Sequence, residues 1–525
     1  MGVEVWLLLV VGVLGVWAYS RWRHSYWSAR GVPTAPYLPV IGHLHKLYSL
    51  LVSRWIYNDE VYYKHGGATF CGLYEFFNPV LLVGDPDIIK HILIKDFDHF
   101  VNSRSFRVDN DSLQNDMLFN MEGEEWKALR NVMSPTFTSG KMRRMFPLVY
   151  HKADALVSFS LKEATKKPHV DMKYNFGRYT MDTIGSCAFG IECNSLENEN
   201  SEFTLQADSF FKFTFTMFLK FMLLLISPKL ISLLGLSLDL PAMKFLERVV
   251  LETKAAREVG QKRGDFLDLL LESRAAENPN INDSDHTTQD DDHTMHNHLT
   301  TSNQPTITSK QVLKDRVIVA QCVLFLVAGY DTTASTLAFS AFLLAKNPVQ
   351  QQRLRQELQK MVEEHGDVTY QGIMEAKFLE ACIMETLRMY PPAPLIERRC
   401  TKTYQLPGTE ITLHPEDLVS VPVRSLHYDS RYWHDPEEFI PDRFLPENKG
   451  SITSCTHLPF GSGPRNCVAM RFALMEAKVV LAKLLLAAEI HLPEGHKELV
   501  LETSPFLIRP KKCVNLILTP LTNNN

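Results

Sequence analysis

Apolar residues are distributed very unevenly along this chain, and the unevenness predicts its elements. Residues 3–19 form an almost unbroken apolar run, interrupted only by Glu4 and followed by Arg21, Arg23 and His24. A membrane-anchoring helix is expected there. Acid precedes and base follows, the reverse of a cleaved secretory signal, so the amino terminus is expected outside and the following domain in the cytoplasm. The run is short for a full span and suits a thin membrane such as the endoplasmic reticulum. Pro33, Pro36, Pro39 and Gly42 then predict a stiff linker that cannot continue the helix. β-rich runs such as 80–83 and 418–423 sit towards the two ends, and long helical patterns fill the centre. The longest, 309–346, is stopped by Asn347-Pro348. Gln321, Asp331 and the Thr and Ser residues around Thr332 make it a helix through a protein core rather than a second span. Residues 210–226 are crowded with Phe and Leu but carry Lys212 and Lys220. An amphipathic helix pair that roofs a pocket and dips into a bilayer, and plain core packing, both fit that pattern.

Composition narrows the picture. The 525 residues show no repeat and no break that would divide the middle of the chain. The expected organisation is an anchor at 1–20, a basic and proline-rich linker at 21–42, and one catalytic domain at 43–525. Within it, 277–309 turns polar, with Asp290, Asp291 and Asp292 among His286, His293, His296 and His298, and reads as a disordered surface insert without the apolar frame a metal site needs. A net charge of -5 with interspersed signs gives no basic stripe and argues against nucleic acid. Nine irregularly spaced cysteines with no CxxC pair read as reduced thiols.

The chemistry is concentrated in a few constellations. In Pro459-Phe460-Gly461-Ser462-Gly463-Pro464-Arg465-Asn466-Cys467-Val468-Ala469, glycines and proline bend a loop around one cysteine just before an apolar helix. Free amides there are expected to point at the sulfur and hold it as a thiolate for a metal, with Phe460 as cover and Arg465 facing an anionic cofactor group. Trp126 and Arg130, at i and i+4, join Arg398 and Arg465 to offer three guanidiniums and an indole N–H to paired carboxylates. At 328–333 the small Ala328-Gly329 pair clears space beside a helix, and Asp331 with Thr332 are expected to bring a carboxylate and a hydroxyl into the gap. Glu385 and Arg388 share a helix face, and Arg443, between two prolines, is suited to the same carboxylate. Their role is structural.

Taken in order, these residues resemble one family closely, the cytochrome P450 haem-thiolate monooxygenases. The match runs from the anchor and proline linker through Trp126 and Arg130, the 328–333 motif, Glu385 and Arg388, and 441–444 to the Cys467 loop. Residues 134–141 further resemble the animal microsomal branch that handles xenobiotics and steroids. Ala469 stands where the family usually has Gly.

The resemblance implies a mainly α fold with small β-sheets (α+β), with haem b between the long central helix and the helix after the cysteine loop. Cys467 is then the proximal iron ligand, whose electron push favours O–O cleavage, and Asp331 and Thr332 are the catalytic proton relay. It implies insertion of one oxygen atom into a lipophilic small molecule such as a xenobiotic, steroid, fatty acid or terpenoid. No G-x-G-x-x-G follows a strand, so NADPH electrons are expected through a membrane-bound cytochrome P450 reductase, with cytochrome b5 as a further partner. Lys127, Lys141, Arg143 and Arg144 offer that acidic partner a basic face. Resemblance and composition together place the substrate against Leu118, Phe119, Phe211, Phe213, Phe215, Phe325, Ala328, Ala393, Leu395 and Ile396, with no polar anchor. A haem-thiolate isomerase, or a haem carrier or gas sensor without enzymatic activity, are the other readings. Asp331 and Thr332 argue against both.

Overall fold

The computed structural model describes residues 3–47, 53–108, 112–198, 202–210, 214–260, 263–275, 313–495, 498–504 and 506–521. The polar segment 277–309, expected as a disordered insert, and Phe211 and Phe213 lie outside the described residues.

The elements that build the site are, in chain order, helix α1 (Val3–Arg23), strands β1 (Phe70–Glu75), β2 (Asn78–Val83) and β3 (Asn102–Ser103), and helices α2 (Gly123–Met133), α3 (Ser139–Ala164), α4 (Met172–Ile184), α5 (Phe215–Ile226), α6 (Asp315–Lys346) and α7 (Lys377–Met389). Strands β4 (Leu395–Arg399) and β5 (Leu418–Pro422) and helix α8 (Met470–Ala487) complete the set. The strands form one sheet in the order β1-β2-β5-β4-β3. Within it β2 pairs parallel with β5, and Ser103 lies opposite Arg398 across the β3–β4 ladder.

The first apolar run is helical as expected, and its side chains from Val5 to Val16 are largely exposed. Among the described residues α6 is the other helix long and apolar enough to cross a membrane. Its side chains are mostly buried instead, as its internal polar residues predicted. It starts at Asp315, later than the pattern alone suggested, because Lys314 is extended. Gln321 shows why a polar residue belongs inside it. Its amide nitrogen donates to the Asp116 carbonyl at 2.6 Å and its oxygen accepts from Leu118 N–H at 2.9 Å, which ties the loop carrying Leu118 to the helix. A buried amide with both ends satisfied costs little and fixes geometry.

The proline segment is not a spacer standing clear of the domain. Trp27 is fully buried, its indole donating to the Leu73 carbonyl at 3.0 Å, and Gly72 makes room for it: a Cβ there would lie 2.4 Å from the ring. His24 is buried as well and bonds the Phe76 carbonyl. Burying a tryptophan stabilises by a few kcal/mol, which adds a packed anchor point to the stiffness expected of the prolines.

The structural carboxylate is where the motif predicted it. Glu385 and Arg388 are both fully buried and joined through Arg388 Nε to Glu385 Oε2 at 2.7 Å, while Arg443 Nε reaches Glu385 Oε1 at 3.3 Å. Arg388 also donates to the carbonyls of His427 and Pro436. This cluster therefore pins α7 to the irregular segment that leads into the cysteine loop.

Candidate active site

The cysteine loop owes its path to backbone contacts. Gly461 and Gly463 take left-handed φ angles of 73° and 70°, and a Cβ on Gly463 would lie 1.8 Å from the Leu93 carbonyl oxygen, so only glycine fits there. The Cys467 N–H donates to the Phe460 carbonyl at 2.8 Å and closes the loop. Gly461 N–H is used inside the loop, on Leu458, so it is not aimed at the sulfur as expected. The sulfur takes its hydrogen bond from the Ala469 amide instead. Burial raises the Cys467 pKa, and that amide and the Arg130 charge act against the rise. Ala469 itself has φ -95° and ψ 16°, a conformation open to any residue, so the methyl in place of glycine carries no backbone strain.

Cys467 opens into a cavity of about 580 Å³. Its wall includes Trp126, Arg130, Arg398, Phe460, Arg465 and Ala469 on one side and Ala328, Gly329, Thr332 and Thr333 of α6 on another. Leu118, Phe119, Phe325, Ala393, Leu395 and Ile396 line it as the sequence suggested. Phe215 does not: it is 65% exposed on α5, because a run of aromatics does not say which helix face meets the pocket. The sequence reading missed Ser103, Arg104, Phe106, Phe137, Phe266, Glu397 and Phe472, which also line the cavity. Of these, Glu397 carried a weak signal, being a charge next to a predicted site residue in a β-rich run.

The three arginines are arranged for an anionic group. Arg465 donates to the carbonyls of Val101 and Met121 at 2.6 and 2.7 Å, Arg130 to the Asn466 carbonyl and side chain at 2.9 and 2.7 Å, and Arg398 to Ser103 Oγ at 3.3 Å. These acceptors are all neutral. Among the described residues Arg398 Nε is buried without a partner. Burial pushes Arg398 down to about 10; burial, with Arg398 and Arg130 nearby, pushes Arg465 down to about 9. Buried cations left with neutral acceptors are costly unless an anion joins them. The Trp126 ring lies 4.2 Å from the Arg465 guanidinium and screens it on one face. A flat, dianionic metallocofactor bound through Cys467 therefore fits the residues present, with Arg130, Arg398 and Arg465 as carboxylate partners.

On the opposite wall, Thr332 faces the cavity and donates to the Ala328 carbonyl at 2.6 Å. Asp331 does not enter the gap with it. The carboxylate is buried on another face of α6, 2.7 Å from Lys173 Nζ and 3.2 Å from Arg509 Nη1. The reason is helical geometry, since consecutive side chains point about 100° apart. Burial alone would raise the Asp331 pKa, but Lys173 and Arg509 more than offset it and hold it below the ordinary carboxylate range.

A cysteine thiolate site under a small-residue gap in a long buried helix defines a haem-thiolate oxygenase. The family model described as Cytochrome P450 matches residues 32–516. The chain is similar to cytochrome P450 9e2 of Blattella germanica, 35% identical over 493 residues and covering 90% of this chain and 89% of that protein. It is also similar to cytochrome P450 3A11 of Mus musculus, 35% identical over 491 residues, and to cytochrome P450 3A5 of Homo sapiens, 33% identical over 491 residues, each covering 92% of this chain and 90% of the relative. The chain belongs to the cytochrome P450 family of haem monooxygenases, and the mainly helical fold with small sheets is that family's fold.

Proposed function

We propose that this monooxygenase takes NADPH electrons from a membrane-bound flavoprotein reductase, with cytochrome b5 as a second donor, and hydroxylates lipophilic small molecules at the cytoplasmic face of the endoplasmic reticulum. The observation that carries the reading is one cavity shared by Cys467 and Thr332, with Leu118, Phe325, Ala393 and Leu395 around it. Haem, when bound, supplies the iron at which dioxygen is reduced and split. The protein's part is to hold and exclude. Apolar walls admit a lipophilic substrate and keep water out, which strengthens every polar interaction inside. Cys467 would hold the haem through its sulfur, and Arg130, Arg398 and Arg465 would bind its carboxylates. Thr332 presents its hydroxyl at the gap beside Gly329, and Asp331 is the proton source behind it, reached when Lys173 or Arg509 lets go.

Exposed apolar residues of α1 support anchoring, and the basic pair Arg21 and Arg23 in its last turn supports a cytoplasmic domain. Arg143 and Arg144 are exposed near the start of α3, as a docking face for an acidic reductase requires, whereas Lys127 is engaged by Glu124 at 2.9 Å. The test is reconstitution with reductase, NADPH and a panel of lipophiles. Product carrying one atom of labelled dioxygen supports the reading, and its absence with every substrate, despite a thiolate-type carbon-monoxide spectrum, overturns it. Charge reversal at Arg143 and Arg144 slows reduction at low salt; unchanged reduction kinetics would remove them from the docking face.

A further inference from the structure

Behind the central helix, a run of alternating charges leads from Asp331 towards the surface. Arg509 is its middle member. Nη1 of that guanidinium lies 3.2 Å from Asp331 Oδ2, and its Nε is bonded to Glu502 Oε2, so one cation answers two carboxylates. The side chains become more exposed outwards, from 8% at Asp331 through 16% at Arg509 to 36% at Glu502. Backbone bonds fix the run in place. Glu502 N–H donates to the Arg509 carbonyl at 2.9 Å, and Lys511 N–H to the Val500 carbonyl at 2.8 Å, so the two stretches are paired. Ser53 Oγ donates to the Glu502 carbonyl at 3.2 Å. Ile508 N–H donates to the Pro392 carbonyl at 2.9 Å, one residue before Ala393 on the cavity wall. Arg509 is therefore held between its two anions by the backbone on either side of it.

A cation between two anions acts on each less strongly than on one alone, because the field of the second anion opposes it. Remove the negative charge of Glu502, and the guanidinium acts on Asp331 unopposed and holds it ionised more firmly. Lys173 acts on Asp331 from α4, at 2.7 Å, and is itself faced by Asp171 and by Ser335 Oγ at 2.8 Å. None of these contacts involves Glu502. We infer that Glu502 is a positioning residue of the oxygenation reaction, which sets from the surface, through Arg509, how readily the carboxylate behind Thr332 accepts and passes a proton. Glu502 is not among the described residues that line the cavity, so it acts only through that cation. This rests on the reading of Asp331 as the proton source and names a residue that governs it.

The experiment compares wild type, Glu502→Gln, Arg509→Met and their combination, as full-length, haem-loaded enzyme with reductase, NADPH and a lipophile that it turns over. Hydrogen peroxide released per NADPH is followed against pH. Glu502→Gln raises the peroxide share about threefold at neutral pH, the scale of one part-exposed ion pair, and the difference closes as pH falls. In the Arg509→Met background the same change adds nothing. A peroxide effect that is equal at every pH, or that survives in Arg509→Met, would belong to a merely structural role and overturns the inference. A second measurement does not depend on turnover. Asp331 stabilises the fold until pH falls through its folded value, so Glu502→Gln moves that loss to lower pH. Urea denaturation against pH reads the shift, and an Asp331→Asn background abolishes it, which removes whatever Glu502 contributes by itself. Arg509→Met abolishes it too and takes the place of Asp331→Asn if that variant fails to fold. No shift overturns the inference and leaves the proton-source reading as it was. A shift with an unchanged peroxide share sinks the proton-source reading, and with it the part Glu502 plays in the reaction.

Discussion

Arg509, near the end of the chain, reaches Asp331 in the middle of the central helix: Nη1 lies 3.2 Å from Oδ2, and the other carboxylate oxygen is taken by Lys173 at 2.7 Å. The acid next to Thr332 is therefore held ionised as a buried ion pair, engaged by two cations at once.

Lys173→Met leaves Asp331 with one cation instead of two. Asp331 has a depressed pKa in the folded protein, so its contribution to stability is present above the unfolded value and lost as pH falls through the folded one. With Lys173 gone the folded pKa rises, and acid unfolding begins at higher pH. The loss at neutral pH is about 3 kcal/mol, as for breaking a buried pair. Urea denaturation between neutral and acid pH measures both, and an unchanged acid limb would show that the pair is not coupled.

Thr332→Ala removes the hydroxyl that faces the cavity while leaving the helix good backbone propensity. Oxygenated product per NADPH consumed falls by about tenfold, and the missing electrons appear as hydrogen peroxide. Tight coupling in the variant would take the hydroxyl out of proton delivery.

Arg465→Leu removes one of the three guanidiniums that line the cavity, together with its bonds to Val101 and Met121. Haem affinity drops by about tenfold or more, the scale of one charge-assisted hydrogen bond. Haem transfer to an acceptor protein measures the release rate. A rate equal to wild type would mean that Arg398 and Arg130 suffice.

Ala469→Gly restores the family's usual residue beside the ligand. Because Ala469 has a negative φ, the change relieves no strain and adds only unfolded-state freedom, costing about 0.5–1 kcal/mol. The reduced carbon-monoxide spectrum stays where it is, since the amide that bonds the sulfur is unchanged. A shifted band would show that the methyl tunes the iron.

What could be read from the sequence follows how far apart the partners lie. Glu385 and Arg388 are three residues apart on one helix, and the Cys467 loop carries its own glycines, so both were legible locally. Asp331 was legible as an acid near the site but not in direction, because adjacency in sequence is divergence on a helix. Phe215 misled for a related reason: α5 is apolar nearly all round, and its pattern does not name its inner face. The charge cluster around Glu397 was out of reach, since Arg54 and Arg104 meet Glu397 across 343 and 293 residues. Two strands had to pair before those charges had neighbours.

Trp27 in its seat over Gly72 has a mechanical meaning. The ring is locked into the sheet whose strands β3 and β4 form part of the cavity wall, and Arg23, at the end of α1, bonds the Phe77 carbonyl at 2.9 Å on the turn between β1 and β2. The N-terminal helix is thus a bracket bolted to the catalytic body, not a tether from which it swings. A bilayer that took up that helix would also set the tilt of the body, and with it the height at which the cavity meets the lipid.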